Sequence, residues 1–264
     1  MTIDYSVFGY DVFGDLMVDP LTSRVTANKF YFCMEIDSDR ANALVKQFHY
    51  SGKVVPNSNL HLGLFDVSGA LKGCLSFGPS MNGVSTATKL SNSTAMLELN
   101  RMVMHDDQPR NSESCAIGLC VKWLKRFRKD VHWLLSFSDG KEGNVGYIYQ
   151  ATNWSYIGHL DSDSFYDLDG EVVHAVTVWH RYKESHPERD SKTTHEILFD
   201  NFTNVSRIHC KQHMYVMSLN VNVKFFDSVK PYPKIETEIP IHKRVFFKKD
   251  GAVLDPPLVM SYTF

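Results

Sequence analysis

A histidine and a tyrosine stand side by side where a helical pattern stops, and this pair is the first that could do chemistry. His49 and Tyr50 follow an apolar stripe at helical spacing and precede a Ser-Gly turn, so both side chains can reach the edge of a cleft. Histidine titrates near neutral pH, and either side chain can act in proton transfer or bind a metal ion. The alternative is a helix-capping histidine with the tyrosine packed beneath it.

A carboxylate and two more tyrosines are the next candidates. Asp139 follows the apolar run WLLSFS and precedes a glycine, which predicts a position at the end of a buried strand, where ligands of a sheet collect. It could accept a proton, orient a base or bind a metal, and an ordinary turn aspartate is the alternative. Tyr147 and Tyr149 lie in a short helical segment. We expect one ring to face the cleft, where it could stack on an extruded base or donate a proton, and the other to pack in the core.

An arginine stands among apolar neighbours in a predicted strand. Arg101 is costly to bury without an anion or a carboxylate partner, which favours a functional role. An ion pair with Glu98 or Glu113 is the structural alternative.

Two local basic surfaces could hold the phosphates of a duplex. The chain as a whole has 28 Lys+Arg against 30 Asp+Glu, a net charge of −2, so no overall field attracts nucleic acid. One surface is the outer face of an amphipathic helix and the other is a Lys-rich segment near the C-terminus, although a solvated helix face is the commoner meaning of such a run. The predicted phosphate contacts are Lys122, Lys125, Arg126, Arg128, Lys230 and Lys234.

The spacing of apolar residues predicts the elements that position these groups. Two strands joined by a short Ser-Gly turn form a hairpin, and the element order predicts a mixed α/β fold in three layers, with a mainly antiparallel central sheet flanked by helices. The predicted helices cover about 38–49, 115–128, 143–153 and 195–202. The predicted strands cover 61–67, 71–77, 95–104, 133–138, 154–158, 172–180 and 213–219, and 161–170 is predicted as a polar loop.

Length and composition predict one large folded domain. The 264 residues are 43% hydrophobic, enough for a sizeable core. We expect an N-terminal arm (1–30), a catalytic domain (31–220) and a basic C-terminal extension (221–264) packed on the core. The five cysteines form no CxxC pair, which fits a reducing cytosol, and no stretch reaches the about 18 apolar residues of a membrane span. We therefore expect a cytoplasmic protein.

The strand that contains ELNRMVM, followed by a loop and a helix, resembles the core of GNAT acyltransferases. In that family the strand splays to bind the pantetheine arm of an acyl-CoA, and the helix N-terminus receives the pyrophosphate. By resemblance, the cofactor-binding positions are Met104, Arg110, Asn111, Ser112 and Ser114. The loop QPRNSES lacks the glycines of the GNAT pattern, so we expect acyl-CoA to bind weakly or not at all.

Several short segments together resemble the Mom family of phage DNA-modification proteins. They are FHYSG (48–52), ELNR (98–101), NSES (111–114), SD (138–139), GYIYQA (146–151) with Trp154 and Tyr156, and KPYPK (230–234). The resemblance covers about 46–158 and 205–234. It implies a protein that adds a carbamoylmethyl group to adenine in phage DNA, which protects the genome from host restriction.

The same resemblance implies roles for particular residues. It implies double-stranded DNA as the partner, and iron as the cofactor with His49, Tyr50 and Asp139 as ligands. It also favours Tyr149 over Tyr147. The implied catalytic residues are His49, Tyr50, Arg101, Asp139 and Tyr149.

Modification of a base in a duplex requires that the adenine leave the stack, and aromatic side chains can offset the cost. Tyr50, Tyr149 and Trp154 are the candidates for stacking. One alternative function is a conventional acyl-CoA-dependent N-acetyltransferase acting on a small amine or a protein. A third is a catalytically inactive GNAT-like protein that binds DNA or counters restriction, in which the cluster of His49, Asp139 and Tyr149 would be lost.

Overall fold

The computed structural model describes residues 31–66, 68–80, 83–139 and 144–234, and the backbone of four later strands. The predicted arm, 1–30, and the predicted helix start at Gly143 lie outside the described residues. The helices are α1 (Ser38–Phe48), α2 (Gly83–Leu90), α3 (Ser112–Phe127), α4 (Tyr147–Ala151), α5 (Ala175–Val178), followed by a π-helical turn (Trp179–Lys183), and α6 (Thr194–Phe199). The strands are β1 (Phe32–Glu35), β2 (Leu60–Phe65), β3 (Leu71–Gly78), β4 (Met96–Met104), β5 (Trp133–Asp139), β6 (Ser155–Leu168), β7 (Glu171–His174), β8 (Val205–Ser218), β9 (Ile241–Phe246), β10 (Lys248–Lys249), β11 (Ala252–Val253) and β12 (Leu258–Tyr262).

The chain forms two compact units, each assembled from several stretches of sequence. Unit 1 contains Met1–Phe137, Tyr147–Gly158 and Met214–Tyr232. Unit 2 contains Ser138–Gly146, His159–His213 and Pro233–Phe264. The long strands β6 and β8 contribute to both units, and the predicted division into arm, catalytic domain and extension stays a prediction.

Unit 1 is a sheet with helices on both faces. Neighbouring strands from β1 to β4 are antiparallel, and β4 pairs with β5 in parallel. Leu134 of β5 packs in one core with apolar residues of α1 and α3, whereas Trp133 and Leu135 pack in a second core with Ala87 and Leu90 of α2. Because successive side chains of a strand point to opposite faces, the two cores lie on opposite sides of the sheet. The predicted three-layer mixed fold is confirmed.

The strand β4 has two irregularities that shape the site. Arg101 pairs with Ser76, but Leu99 pairs with Phe77, so Asn100 is an extra residue in a β-bulge. Pairing of β4 with β5 covers only residues 96–98 and 133–135. Beyond Glu98, β4 and β5 have no further paired residues, and this divergence matches the splay that the GNAT resemblance implies.

Local signals explain where α1 begins and ends. The Asp37 carboxylate accepts the Arg40 N–H at 2.8 Å, which caps the first turn. The His49 N–H donates to the Val45 carbonyl at 3.1 Å, and the chain then turns through Gly52, whose φ of 58° suits glycine. The predicted helix at 38–49 and the β2–β3 hairpin are confirmed.

Two predictions in the later part of the chain are wrong, and a third strand, although confirmed, was predicted too short. The predicted polar loop at 161–170 lies mostly in β6, which forms a hairpin with β7 through a turn at Asp169 and Gly170. The predicted strand 172–180 stops at His174, because its side chain accepts the Val176 N–H at 3.1 Å and caps α5. The predicted strand 213–219 is the end of β8, which begins at Val205.

In unit 2, β7 pairs with β6, β9 with β8, and β12 with β9, all antiparallel. Among the described residues, no helix is both long and apolar enough to cross a membrane.

Candidate functional site

Side chains close the vertex of the splay, which is the point after Glu98 and Leu135 where β4 and β5 stop pairing. Ser136 follows the last paired residue of β5, and its hydroxyl lies 3.2 Å from the Leu99 carbonyl and 2.8 Å from the Tyr149 hydroxyl. The phenol can donate to Ser136 while Ser136 donates to Leu99, so one chain of hydrogen bonds joins α4, β5 and β4. Ser136 thereby takes the place of the backbone pairing that ends at Glu98.

The Tyr149 side chain is built into the core of unit 1. Its ring is 7% exposed and packs against Trp154 and Tyr215 at centroid distances of 5.2 and 5.1 Å. Burial raises the pKa of Tyr149 to about 12, the negative fields of Tyr50 and Glu98 add to this, and the hydrogen bond with Ser136 opposes it. The phenol is therefore neutral and fixed at physiological pH.

The aromatic residues that were candidates for base stacking differ in access. Tyr50 is 86% exposed, and Tyr147 is also exposed, whereas Tyr149 is buried. Trp154 is fully buried, so the prediction that it stacks on a base is wrong. The Trp154 ring instead packs beside the Tyr149 ring in the core of unit 1.

The turn that follows α1 is fastened to β4 by Arg101. The guanidinium donates from Nε to the Lys53 carbonyl at 2.9 Å and from Nη1 to the Asn100 carbonyl at 2.7 Å. The Gly52 N–H donates to the His49 carbonyl at 2.8 Å and closes the turn. The bulge at Asn100 and the Gly52 turn together position Arg101, His49 and Tyr50 in one region.

The protonation state of His49 follows from its neighbours. The Ser51 N–H donates to His49 Nδ1 at 3.1 Å, so this nitrogen is an acceptor and the ring proton lies on Nε2. The Ser51 hydroxyl lies 2.8 Å from the same nitrogen. Burial, followed by the positive charge of Arg101, lowers the pKa of His49 to about 4. At neutral pH His49 is an uncharged ring that can donate from Nε2.

Two further polar side chains, Tyr50 and Glu98, lie near Arg101. The Tyr50 ring lies against the His49 ring with a centroid distance of 4.3 Å. Glu98, which the sequence suggests only as an ion-pair partner of Arg101, ends the part of β4 that pairs with β5. Burial raises the pKa of Glu98, while a hydrogen bond with Ser80 and the charge of Arg101 act in the opposite direction. A carboxylate with a raised pKa at the vertex of a cleft is a good proton acceptor. This property of Glu98 comes from its burial, which the sequence does not show.

Asp139 is the last residue of β5 and belongs to unit 2. There the Cys210 thiol lies 3.9 Å from Asp139 Oδ1. The two other predicted iron ligands, His49 and Tyr50, belong to unit 1.

The arrangement of His49 does not fit an iron ligand. A metal ion at Nε2 would require the ring proton on Nδ1, where the Ser51 N–H already donates. Among the described residues, no group of three or more His, Cys, Asp or Glu side chains is arranged to hold a metal ion.

The predicted pyrophosphate loop uses its polar groups internally. Ser112, which begins α3, is buried, and its hydroxyl donates to the Pro109 carbonyl at 2.6 Å and lies 3.0 Å from the Tyr31 hydroxyl. Ser114 donates to the Asn111 carbonyl at 3.0 Å. Asn111 has a left-handed backbone, with φ of 71°, and its side chain makes no cap.

Other groups near this loop are no more suited to a pyrophosphate. Arg110 is exposed, but the acidic Asp107 bonds to Gln108, and the Lys72 ammonium lies 3.3 Å from the Asp107 carboxylate. Met104 ends β4 and packs over Gly73, where an added Cβ would lie 2.3 Å from its sulfur. These contacts favour the expectation that acyl-CoA binds weakly.

The predicted phosphate contacts differ in their exposure. Lys122, Lys125 and Arg126 are exposed on the outer face of α3. Arg128 instead makes two hydrogen bonds to the Asp130 carboxylate, at 2.9 and 2.7 Å. Lys230 in unit 1 and Lys234 in unit 2 are exposed.

The KPYPK segment is tied to the start of β6. The Lys230 N–H donates to the Tyr156 carbonyl at 2.8 Å, and the Tyr232 hydroxyl donates to the Trp154 carbonyl at 2.9 Å. Gly158 has a φ of 127°, and a Cβ there would lie 2.6 Å from Lys230 Nζ. The start of β6 and the KPYPK segment therefore approach each other closely at Gly158.

Comparison with known proteins gives one sequence family and several distant folds. The sequence matches the Mom protein family over residues 30–234. It is 35% identical over 209 residues to the methylcarbamoylase mom of Escherichia phage Mu, covering 74% of this chain and 80% of that protein.

Among solved structures, a GNAT-family acetyltransferase from Bacillus anthracis has a TM-score of 0.38 at 9% identity, covering 73% of this chain and 96% of that one. The ribosomal-protein-S18-alanine N-acetyltransferase from Escherichia coli has a TM-score of 0.39 at 6% identity, with the same coverage of both chains.

Proposed function

This chain belongs to the Mom protein family, and we propose that it is a phage enzyme that adds a carbamoylmethyl group to the exocyclic amine of adenine in DNA. The relative in phage Mu is named a methylcarbamoylase, which is the chemistry carried over here. The modified base would protect phage DNA from restriction in the host cytoplasm. The proposal rests chiefly on the family match, because it includes every residue of the cluster in the splay of unit 1.

The cluster offers the groups that such a transfer needs. The adenine amine attacks the methylene carbon of an activated carbamoylmethyl donor, a C–N bond forms, and the bond from that carbon to the leaving group breaks. One amine proton must then leave. Glu98, with its raised pKa, accepts this proton, and the neutral His49 donates from Nε2 to the carbonyl oxygen of the transferred group.

Two further residues have distinct tasks in this scheme. The exposed Tyr50 stacks on the extruded adenine, and Arg101 holds the turn that carries both Tyr50 and His49. Tyr149 is a positioning residue, since its hydroxyl acts through Ser136 on the vertex.

Mass analysis of nucleosides tests the proposed function directly. DNA from cells expressing the protein is expected to contain adenosine with the mass increment of one carbamoylmethyl group. Glu98→Gln is nearly isosteric and is expected to abolish the product without unfolding the protein. Acetylated protein or polyamine without modified nucleosides would instead establish the acetyltransferase alternative.

Duplex binding by α3 has its own test. Lys125→Glu combined with Arg126→Glu reverses two exposed charges and is expected to weaken binding to all sequences alike, because phosphates carry no base information. Each lost phosphate contact should reduce the log–log salt slope by about 0.9. The control reverses Lys211, an exposed cation of β8 in unit 2. An unchanged slope in the double variant would remove α3 from the interface.

A further inference from the structure

The segment between β8 and the KPYPK element is held firmly against α2. The Phe226 N–H donates to the Leu90 carbonyl at 2.9 Å. Asn92 bonds to Lys224 twice, through its N–H to the Lys224 carbonyl at 3.1 Å and through Oδ1 to the Lys224 N–H at 2.8 Å. Ser91 also forms a β-bridge with Phe225. The backbone of this segment, residues 221–230, is therefore fixed at several points.

Alternate side chains of the segment point inward and outward. Val223 and Phe225 pack on the core shared with α2, and the Phe225 ring meets the Trp133 ring edge-on at 5.4 Å. Val221 is 97% exposed, Phe226 is 61% exposed, and Val229 is exposed as well. An aromatic side chain held in solvent by a fixed backbone presents apolar area that a partner can cover.

The charges around these apolar side chains identify the chemistry of that partner. Lys224 and Lys230 lie in the segment, Lys89 is exposed in the last turn of α2, and Asp227 is the one acidic residue among 221–230. Apolar side chains flanked by cations suit the edge of a base stack between two phosphate backbones.

The segment also lies close to the vertex along the strands. Phe225 packs on Trp133, whose register partner on β4 is Met96. Glu98 is two residues further along β4, a distance of about 7 Å at the rise of a β-strand. Both features belong to unit 1.

We propose that residues 221–230 form a wedge that enters duplex DNA beside the target adenine, with Phe226 filling the gap that the extruded base leaves. The inference rests on the proposed function and explains how the target adenine leaves the duplex and reaches the site. Lys224 and Lys230 bind the flanking phosphates, while Phe226 supplies the apolar surface that replaces the lost stacking.

The test uses the full chain and a duplex in which 2-aminopurine replaces adenine. This base brightens when it leaves the stack, so wild-type protein is expected to raise its fluorescence. Phe226→Ala should reduce the increase by about tenfold, the scale of one lost base–aromatic contact, while duplex affinity falls much less. Phe226→Leu retains an apolar wedge and should restore most of the signal. Trp179→Ala, at an exposed aromatic residue of unit 2, is the matched control and should leave it unchanged.

The outcomes separate the wedge from the proposed function. If Phe226→Ala brightens 2-aminopurine and modifies plasmid adenine in cells as wild type does, the wedge is overturned and the function stands. If wild type modifies no nucleoside, the function fails, and the fluorescence of Phe226→Ala against wild type still decides the wedge. If wild type is a dimer by sedimentation and Phe226→Ala is a monomer, the surface joins two copies of the chain and the wedge is overturned.

Discussion

Tyrosines at the two ends of the splay differ in exposure. The vertex is the end at Ser136 and Tyr149, and the mouth is the end at His49 and Tyr50. At the vertex, Tyr149 is 7% exposed and its hydroxyl is bonded to Ser136. At the mouth, Tyr50 is 86% exposed and rests on the His49 ring. One tyrosine is built into the core beside the splay, and the other is open to solvent. Membership of a family motif therefore does not by itself say which residues meet the substrate.

Loss of the vertex hydroxyl is expected to have the largest effect. Ser136→Ala leaves the buried Leu99 carbonyl and Tyr149 hydroxyl without this partner, so the free energy of unfolding should fall by about 2 kcal/mol. Tyr149→Phe should cost about 1 kcal/mol, and the double variant less than the sum, because both changes break one chain of hydrogen bonds. Denaturant unfolding measures all three.

Tyr50→Phe is the matched control at the mouth and should change the free energy of unfolding by less than about 0.5 kcal/mol. Equal losses for Tyr50→Phe and Tyr149→Phe would break the distinction between mouth and vertex.

At the mouth, the expected loss is in activity and not in stability. Tyr50→Ala removes the stacking ring and should lower the yield of modified adenosine by about tenfold or more, the scale of one base–aromatic contact. Tyr147→Ala, at another exposed tyrosine of the described residues, serves as control in the same nucleoside assay. If Tyr147→Ala abolishes the product and Tyr50→Ala does not, the base stacks on α4 instead.

Apolar periodicity is sufficient to predict the frame that carries these residues. The stripes of α1 and α3 and the β2–β3 hairpin need only their own sequences, whereas the end of β4–β5 pairing after Glu98 is seen only in the structure. The first residues of β6 lie in the predicted strand 154–158. The rest of β6 was predicted as a loop because the alternating Asp and Ser residues at 161–164 have no apolar face, and the pairing of β6 with β8 is not local.

The roles of Ser136 and Glu98 could not be predicted for a related reason. A serine in an apolar strand and a glutamate three residues before an arginine are ordinary in sequence. Their importance comes from Tyr149, which is distant in the chain, and from burial at the splay. Such effects are visible only after the strands are assembled.

Acidification provides a smaller test of the mouth. The unfolded chain takes up a proton at His49 near pH 6.5, whereas the folded chain, with a pKa of about 4, does not. His49 therefore makes the protein less stable as pH falls from 6.5 towards 4, and its contribution is constant above 6.5. His49→Gln should show a shallower loss of unfolding free energy over this range. An identical slope in wild type and variant would contradict the buried, neutral histidine.

The smallest expected effect is the heat of acetyl-CoA binding at the predicted pyrophosphate loop. Because Ser112 and Ser114 donate to carbonyls of their own loop, acetyl-CoA should give no measurable heat of binding at micromolar concentration. Calorimetry checks this. A dissociation constant near 1 μM, about −8 kcal/mol, would restore the conventional acetyltransferase.

The three-part composition of unit 1 has a consequence for synthesis on the ribosome. Its last stretch is Met214–Tyr232, which supplies Tyr215 against Tyr149 and the contacts of Phe225 with Trp133. A nascent chain that has emerged only to Phe137 lacks Tyr149, and one that stops before Met214 lacks the rest of the aromatic core. Unit 1 is therefore complete only after Tyr232 has been synthesised, and products that end before Tyr149 contain β4 without a closed vertex.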